Sequence, residues 1–149
     1  MIVSADHDFK QLQRYDNVKQ FSPLVKKPVK EDNPRVNLLQ KILTGDAGDG
    51  IPNVLSDDNV FVEGRRQTPL SAKKKAILME DEKAFGEEVY RNIQRNRKLI
   101  DLRETPAPVI RDIINIFEEQ DPWENKGKVF PYLVEKRCKR LIEVVQEFI

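Results

Sequence analysis

Two pairs of aspartates carry the strongest chemical signal in this chain. Asp6 and Asp8 follow the short apolar run Ile2-Val3-Ser4, two residues apart. On an extended backbone their carboxylates point the same way and can face one cation. A D-x-D after a strand also serves as a turn or helix-cap device, so the pair alone leaves both roles open. Asp46 and Asp49 lie in Gly45-Asp46-Ala47-Gly48-Asp49-Gly50-Ile51-Pro52-Asn53-Val54, where Asp and Gly are equally ordinary turn residues. The combination says more than either half. A pair of hydrated magnesium ions about 3.5–4 Å apart needs several carboxylates drawn from different chain segments, and hard oxygen donors are what these four residues offer.

Other chemistries are poorly supplied. The single cysteine, Cys138, excludes an internal disulfide and a cysteine-based zinc site. The single histidine, His7, lies between Asp6 and Asp8 and projects to the opposite side of an extended segment, so it is read as structural or solvent-facing. No Ser-His-Asp or Cys-His arrangement can be assembled. With 26 Lys+Arg against 25 Asp+Glu the net charge is +1, so attraction to nucleic acid must come from local patches. Such patches occur at Lys26-Lys27 with Lys30, at Arg65-Arg66, and at Lys73-Lys74-Lys75; each reads either as a solvated surface or as a phosphate contact. Trp123, Phe130 and Tyr132 lack basic-aromatic interleaving and read as core or junction aromatics. The composition, 39% hydrophobic and 34% charged, supports a core and excludes global disorder. The sequence lacks a membrane-length apolar stretch and a signal peptide, and a soluble protein of the reducing cytoplasm is expected.

The elements that position these residues follow from local pattern. Ile2-Val3-Ser4 reads as a buried strand, running into a loop and a helix start at Phe9-Lys10-Gln11-Leu12. Val18 to Ser22 supplies one further strand. Two strands are too little for a closed sheet, so residues 1–30 are expected to be the edge of an incomplete α/β domain, the chain being the C-terminal part of something larger. Residues 31–149 are expected to form a helical domain. Its first helix has Pro34 at the first position, Val36, Leu38, Leu39, Ile42 and Leu43 on one face, and Gly45 as its stop. The Asp-Gly turn follows. Residues 55–70 read as irregular, with a short strand at Val60-Phe61-Val62 and a turn at Glu63-Gly64-Arg65-Arg66. Helices are expected from Ser71 to Met79, from Glu82 to Arg97, over the apolar set Val109, Ile110, Ile113, Ile114 and Phe117 up to Asp121-Pro122, and from about Tyr132 through Val134, Cys138, Leu141, Val145 and Phe148. These helices are expected to form the main core, with Cys138 packed in it.

The same segments carry a family resemblance. Ser4-Ala5-Asp6-His7-Asp8-Phe9-Lys10-Gln11-Leu12 resembles the S-x-D-x-D-F-x-Q-L segment of flap-endonuclease-type 5′ nucleases, and Gly45-Asp46-Ala47-Gly48-Asp49-Gly50-Ile51-Pro52 resembles their G-D-x-x-D-N-I-P turn. Phe61 to Pro69 and Lys126 to Val134 are similar to the bacteriophage RNase H branch, which removes RNA primers and adjacent DNA from the 5′ end in lagging-strand replication. The resemblance spans nearly the whole chain. It implies an α/β nuclease sheet, of which this chain keeps the last remnant, followed by a mainly α C-terminal domain with a helix-hairpin-helix-like DNA-binding motif. It further implies a phosphodiesterase using two Mg2+ ions, with Mn2+ as the alternative, held in part by Asp6, Asp8, Asp46 and Asp49. Lys26, Lys27, Arg65, Arg66, Lys73, Lys74 and Lys75 are the implied DNA contacts. Implied partners are duplex or flap DNA, RNA-DNA hybrid, the missing N-terminal half and replication proteins, in the host-cell cytoplasm. The chain departs from the family where a G-V-x-G-I-G hairpin would bind a monovalent cation: Asn53-Val54-Leu55-Ser56-Asp57-Asp58 stands there instead. The family's front half, with further acidic ligands, is also missing. A nuclease fragment and a non-catalytic DNA-binding or replisome-interaction module therefore both remain open.

Overall fold

Residues 1–121 and 124–147 are described by the computed structural model; the readings placed on Pro122, Trp123 and Phe148 lie outside them. The chain is mainly helical with one small sheet, and it divides into two compact units, residues 1–105 and 106–149.

The first unit opens with strand β1 (Ile2–Val3), which pairs in parallel with β2 (Gln20–Ser22) at Ile2↔Gln20 and Val3↔Phe21. Gln20 locks the register from the side: its Nε2 donates to the carbonyls of Ser4 (3.0 Å) and Asp6 (2.7 Å). β3 (Lys27–Val29) adds antiparallel to β2 and completes a sheet of order β1-β2-β3 among the described residues. Sequence reading missed β3, because Pro28 removes a ladder donor and is tolerated only on an edge. Contrary to expectation β1 is not buried: Val3 is 64% exposed. Between β1 and β2 a 3₁₀ helix runs over His7–Arg14.

Helix α1 (Pro34–Thr44) forms where its local signals place it. The Asn33 side chain accepts from Val36 N, Pro34 occupies the first turn, and Gly45 closes the helix. α2 (Ala72–Glu80) starts at Ser71, whose hydroxyl accepts from Lys74 N. α3 (Glu87–Ile100) carries Glu87 and Glu88 in its first turn and Arg97 and Lys98 in its last, complementing the helix dipole. It begins five residues later than expected, because the Asp81 carboxylate accepts from Lys83 N and sustains a turn there. The core of this unit gathers Leu38, Ile42 and Leu43 of α1, Val54, Leu78 of α2, and Ile93 and Ile100 of α3. The strand expected at Val60-Phe61-Val62 is a run of turns, closed by Glu63 N to Asn59 O and Arg65 N to Val60 O. Val60 is buried there while Val62 is 90% exposed, so local hydrogen bonds override β-propensity.

The second unit holds α4 (Ala107–Glu119), α5 (Lys126–Glu135) and α6 (Lys139–Ile142), then a 3₁₀ turn at Val145–Glu147. α4 forms as expected, but Val109, Ile110, Ile113, Ile114 and Phe117 stay exposed, and the main core lies in the first unit instead. Nor is the last segment one helix. Arg137 adopts φ 54°, with Arg137 N bonding Val134 O and Cys138 N bonding Leu133 O, a Schellman closure that ends α5. Leu133 and Val145 are buried here, Cys138 is half-buried, and Phe130 and Tyr132 are exposed.

Candidate metal centre

Three of the four aspartates meet. Asp8, Asp46 and Asp49 each offer an oxygen within 4.8 Å of the others. Asp8 arrives on the first turn of the 3₁₀ helix, which packs against α1. Its position is set by Asp6, whose carboxylate accepts from Asp8 N at 2.9 Å and caps the helix. The helical turn replaces the extended D-x-D assumed from spacing, and Asp6 stands outside the group of three.

Asp46 and Asp49 arrive on the turn after α1. Asp46 pairs with Ile51 in an isolated bridge, its N donating to Ile51 O and its carbonyl accepting from Ile51 N, both at 2.8 Å. The Asp46 Oδ1 accepts from Gly48 N at 3.0 Å, which fixes its rotamer. The turn can close this tightly because Gly45 takes φ 67° and has no side chain: a Cβ there would lie 2.3 Å from Ile51 O and 2.5 Å from Pro52 O.

A strut from α3 holds the turn from beneath. Fully buried Asn96 donates from Nδ2 to the carbonyls of Ile42 and Pro52, both at 2.8 Å. Ile42 O is one of the carbonyls a helix end leaves without an intrahelical donor, and Asn96 satisfies it. One turn earlier Asn92 donates to Val54 O at 3.1 Å. At the other end, Gln11 ties the 3₁₀ helix to the end of α3, donating to Ile100 O and accepting from Leu102 N, each at 3.0 Å.

Lys41 completes the site. From the last turns of α1 its Nζ contacts Asp8 Oδ1 and lies 3.0 Å from Asp46 Oδ2. Burial pushes this ammonium down, but the hydrogen bonds and charges of Asp8 and Asp46 outweigh burial and leave its pKa above the ordinary lysine value. The hydrogen bond from Lys41 in turn holds the Asp46 carboxyl below the usual carboxylate range. Sequence reading missed Lys41, Asn92 and Asn96. The asparagines leave a trace, two amides four residues apart beside Ile93 and Ile100 on the buried stripe of α3.

The donor set fits a hard divalent cation: carboxylate oxygens drawn from two segments, two half-buried and one exposed, without sulfur or imidazole among the three.

The basic residues are dispersed over the first unit. Lys26, Lys27, Arg66 and Lys73 are exposed, and Lys74 is half-buried. Arg65 is engaged by Asp57 (2.9 Å) and Glu63 (2.6 Å). Lys75 lines a groove of about 390 Å3 together with Lys10, Lys41 and Asp46, so it is placed beside the acidic group. Among the described residues no helix is long and apolar enough to cross a membrane.

Comparison with known proteins gives two findings. The family model described as T4 RNase H, C terminal, matches residues 32–148. Ribonuclease H of Enterobacteria phage T4 is 32% identical over 157 residues, a match that takes in 99% of this chain and 51% of the relative. The chain therefore spans about half the length of the curated relative it matches.

Proposed function

Since this chain belongs to the family of the T4 RNase H C-terminal domain, we propose that it is the C-terminal part of a metal-dependent 5′ to 3′ exonuclease and flap endonuclease that removes RNA primers and adjacent DNA. In this reading residues 1–30 are the edge of an α/β nuclease sheet and residues 31–149 the helical DNA-binding part. The convergence of Asp8, Asp46 and Asp49 within 4.8 Å carries the proposal. These three carboxylates would hold magnesium or manganese, with Asp6 setting the position of Asp8 through the cap. Bound there, the divalent ions supply an activated water and neutralise charge developing on the phosphate. The chain's own residues do the rest. Gly45 and Asn96 keep the turn rigid, so that Asp46 and Asp49 need little reorganisation. Lys73, Lys74, Lys75, Lys26, Lys27 and Arg66 provide sequence-independent attraction to phosphates of duplex or flap DNA and RNA-DNA hybrid.

The test joins the unmatched half of the phage T4 relative ahead of Met1 and follows a 5′-labelled flap duplex. Magnesium-dependent cleavage is expected, and Asp8→Asn is expected to lower its rate at least about 100-fold while leaving duplex affinity in chelator nearly unchanged. Cleavage indifferent to replacing Asp8, Asp46 and Asp49 by Asn would overturn the proposal. A folded fusion that binds the flap duplex and never cuts it would support the non-catalytic binding module instead.

A further inference from the structure

Lys41 stands inside the candidate metal centre, where its ammonium bridges two of the three facing carboxylates, Asp8 and Asp46. An ammonium and a divalent cation repel at a few ångströms, so the two compete for the same pair of carboxylates even though each carboxylate has further lone pairs. Lys41 also lines the groove of about 390 Å3 that runs beside the acidic group, whose wall includes Lys10, Lys75, Asn37 and Gln40. Lys75 and Gln40 there are donors suited to phosphate oxygens, while Lys10 pairs with Glu31 at 3.7 Å and Asn37 Nδ2 donates to Glu31 at 3.0 Å. Lys41 lines both the acidic group and the groove, and its four-carbon stem has the rotatable bonds to redirect the ammonium from one to the other.

Resting on the nuclease reading above, we propose that Lys41 is an exchangeable counter-cation that couples metal entry to phosphate binding. Without metal it keeps Asp8 and Asp46 facing each other and relieves their repulsion. When a divalent ion takes the carboxylates, the displaced ammonium is delivered to a phosphate of the strand in the groove. Metal and strand then favour each other, and by linkage each raises the affinity of the other by the same factor. Lys41 is in this sense a positioning residue for both.

The experiment uses the 149-residue chain and two probes. Mn2+ is titrated calorimetrically into the wild type, Lys41→Met, Lys41→Gln and Lys41→Arg, and binding of a labelled 5′-overhang duplex is measured by anisotropy in chelator and in Mn2+. Circular dichroism checks that each variant is folded. Both neutral variants are expected to bind Mn2+ about tenfold more tightly than wild type, while Lys41→Arg binds it no more tightly. Mn2+ is expected to raise duplex affinity at least about fivefold in wild type and less than about twofold in the neutral variants. A lysine with a merely structural role would give the opposite sign, since its loss would weaken the metal site. Equal or weaker Mn2+ binding by the folded neutral variants, with wild type still binding, overturns the role of Lys41 and leaves the metal reading intact. Mn2+ bound by none of the four proteins overturns both.

Discussion

Replacing Asn96 by Ala probes the strut beneath the acidic turn. Asn96 is fully buried and its Nδ2 donates to Ile42 O and Pro52 O, each at 2.8 Å. Its Oδ1 accepts from Arg95 Nε at 2.9 Å. The truncation removes all three bonds with unequal consequences. Pro52 O keeps a second donor in Arg95, 3.2 Å away, and the half-buried guanidinium of Arg95 retains Asp58. Ile42 O loses its Asn96 donor in an interior that water does not reach, at a cost of about 1–3 kcal/mol for a stranded carbonyl. The other two broken bonds add about 1 kcal/mol, and the small cavity a little more. The total is roughly 2–4 kcal/mol, a large share of the stability of a domain this size. Urea unfolding followed by circular dichroism should show a midpoint lower by about 1–2 M at unchanged slope. Lys98→Ala, on the exposed side of the same helix, should stay within about 0.5 kcal/mol. If Asn96→Ala were no more destabilising than Lys98→Ala, the turn would not rest on α3 and Asp46 and Asp49 would have to be held some other way.

Three further outcomes rest on neighbouring features of the structure. Gly45→Ala places a Cβ against Ile51 O and Pro52 O in a positive-φ conformation, and should cost at least about 2 kcal/mol and weaken divalent-metal binding; thermal melting and a metal titration check both. The side-chain hydrogen bond from Arg103 holds buried Asp101 below the usual carboxylate range, so its stabilisation is complete above the unfolded value of 3.8 and disappears as pH falls through the lowered folded value. Asp101→Asn should therefore flatten the acid limb of a stability-against-pH curve and leave the neutral region without slope change; an unchanged acid limb would refute the pairing. Neutralising Lys73, Lys74 and Lys75 should lower duplex affinity and reduce the slope of log K against log salt by about 0.9 for each phosphate no longer neutralised, read by anisotropy at several salt concentrations.

What was legible in the sequence is what local chemistry decides. Asn33, Pro34 and Gly45 bound α1, and Ser71 starts α2, because caps act within one turn. The Asp46 turn could be read for the same reason. The parts that escaped depend on distant partners. Lys41 meets Asp8 across 33 residues and Asn96 meets Ile42 across 54, and neither pairing leaves a spacing in the chain. β3 exists only because β2 offers an edge that Pro28 can join. The D-x-D inference assumed an extended backbone, whereas Asp6 spends one carboxylate oxygen on capping and turns the chain into a helix before Asp8. The apolar stripe of α4 shows the converse error: period fixes which residues share a face, not whether that face is covered.

In the proposed function Asp8, Asp46 and Asp49 converge on a divalent cation. Paramagnetic broadening by substoichiometric Mn2+, measured on the amide signals of the isotope-labelled chain, tests it most directly. Signals of residue 8 and residues 46–49 should broaden first, those of 60–64 should persist, and Asp46→Asn with Asp49→Asn should abolish the effect. Broadening centred instead on the exposed acidic residues Asp57, Asp58 and Glu63, or surviving the double substitution at the turn, would contradict it.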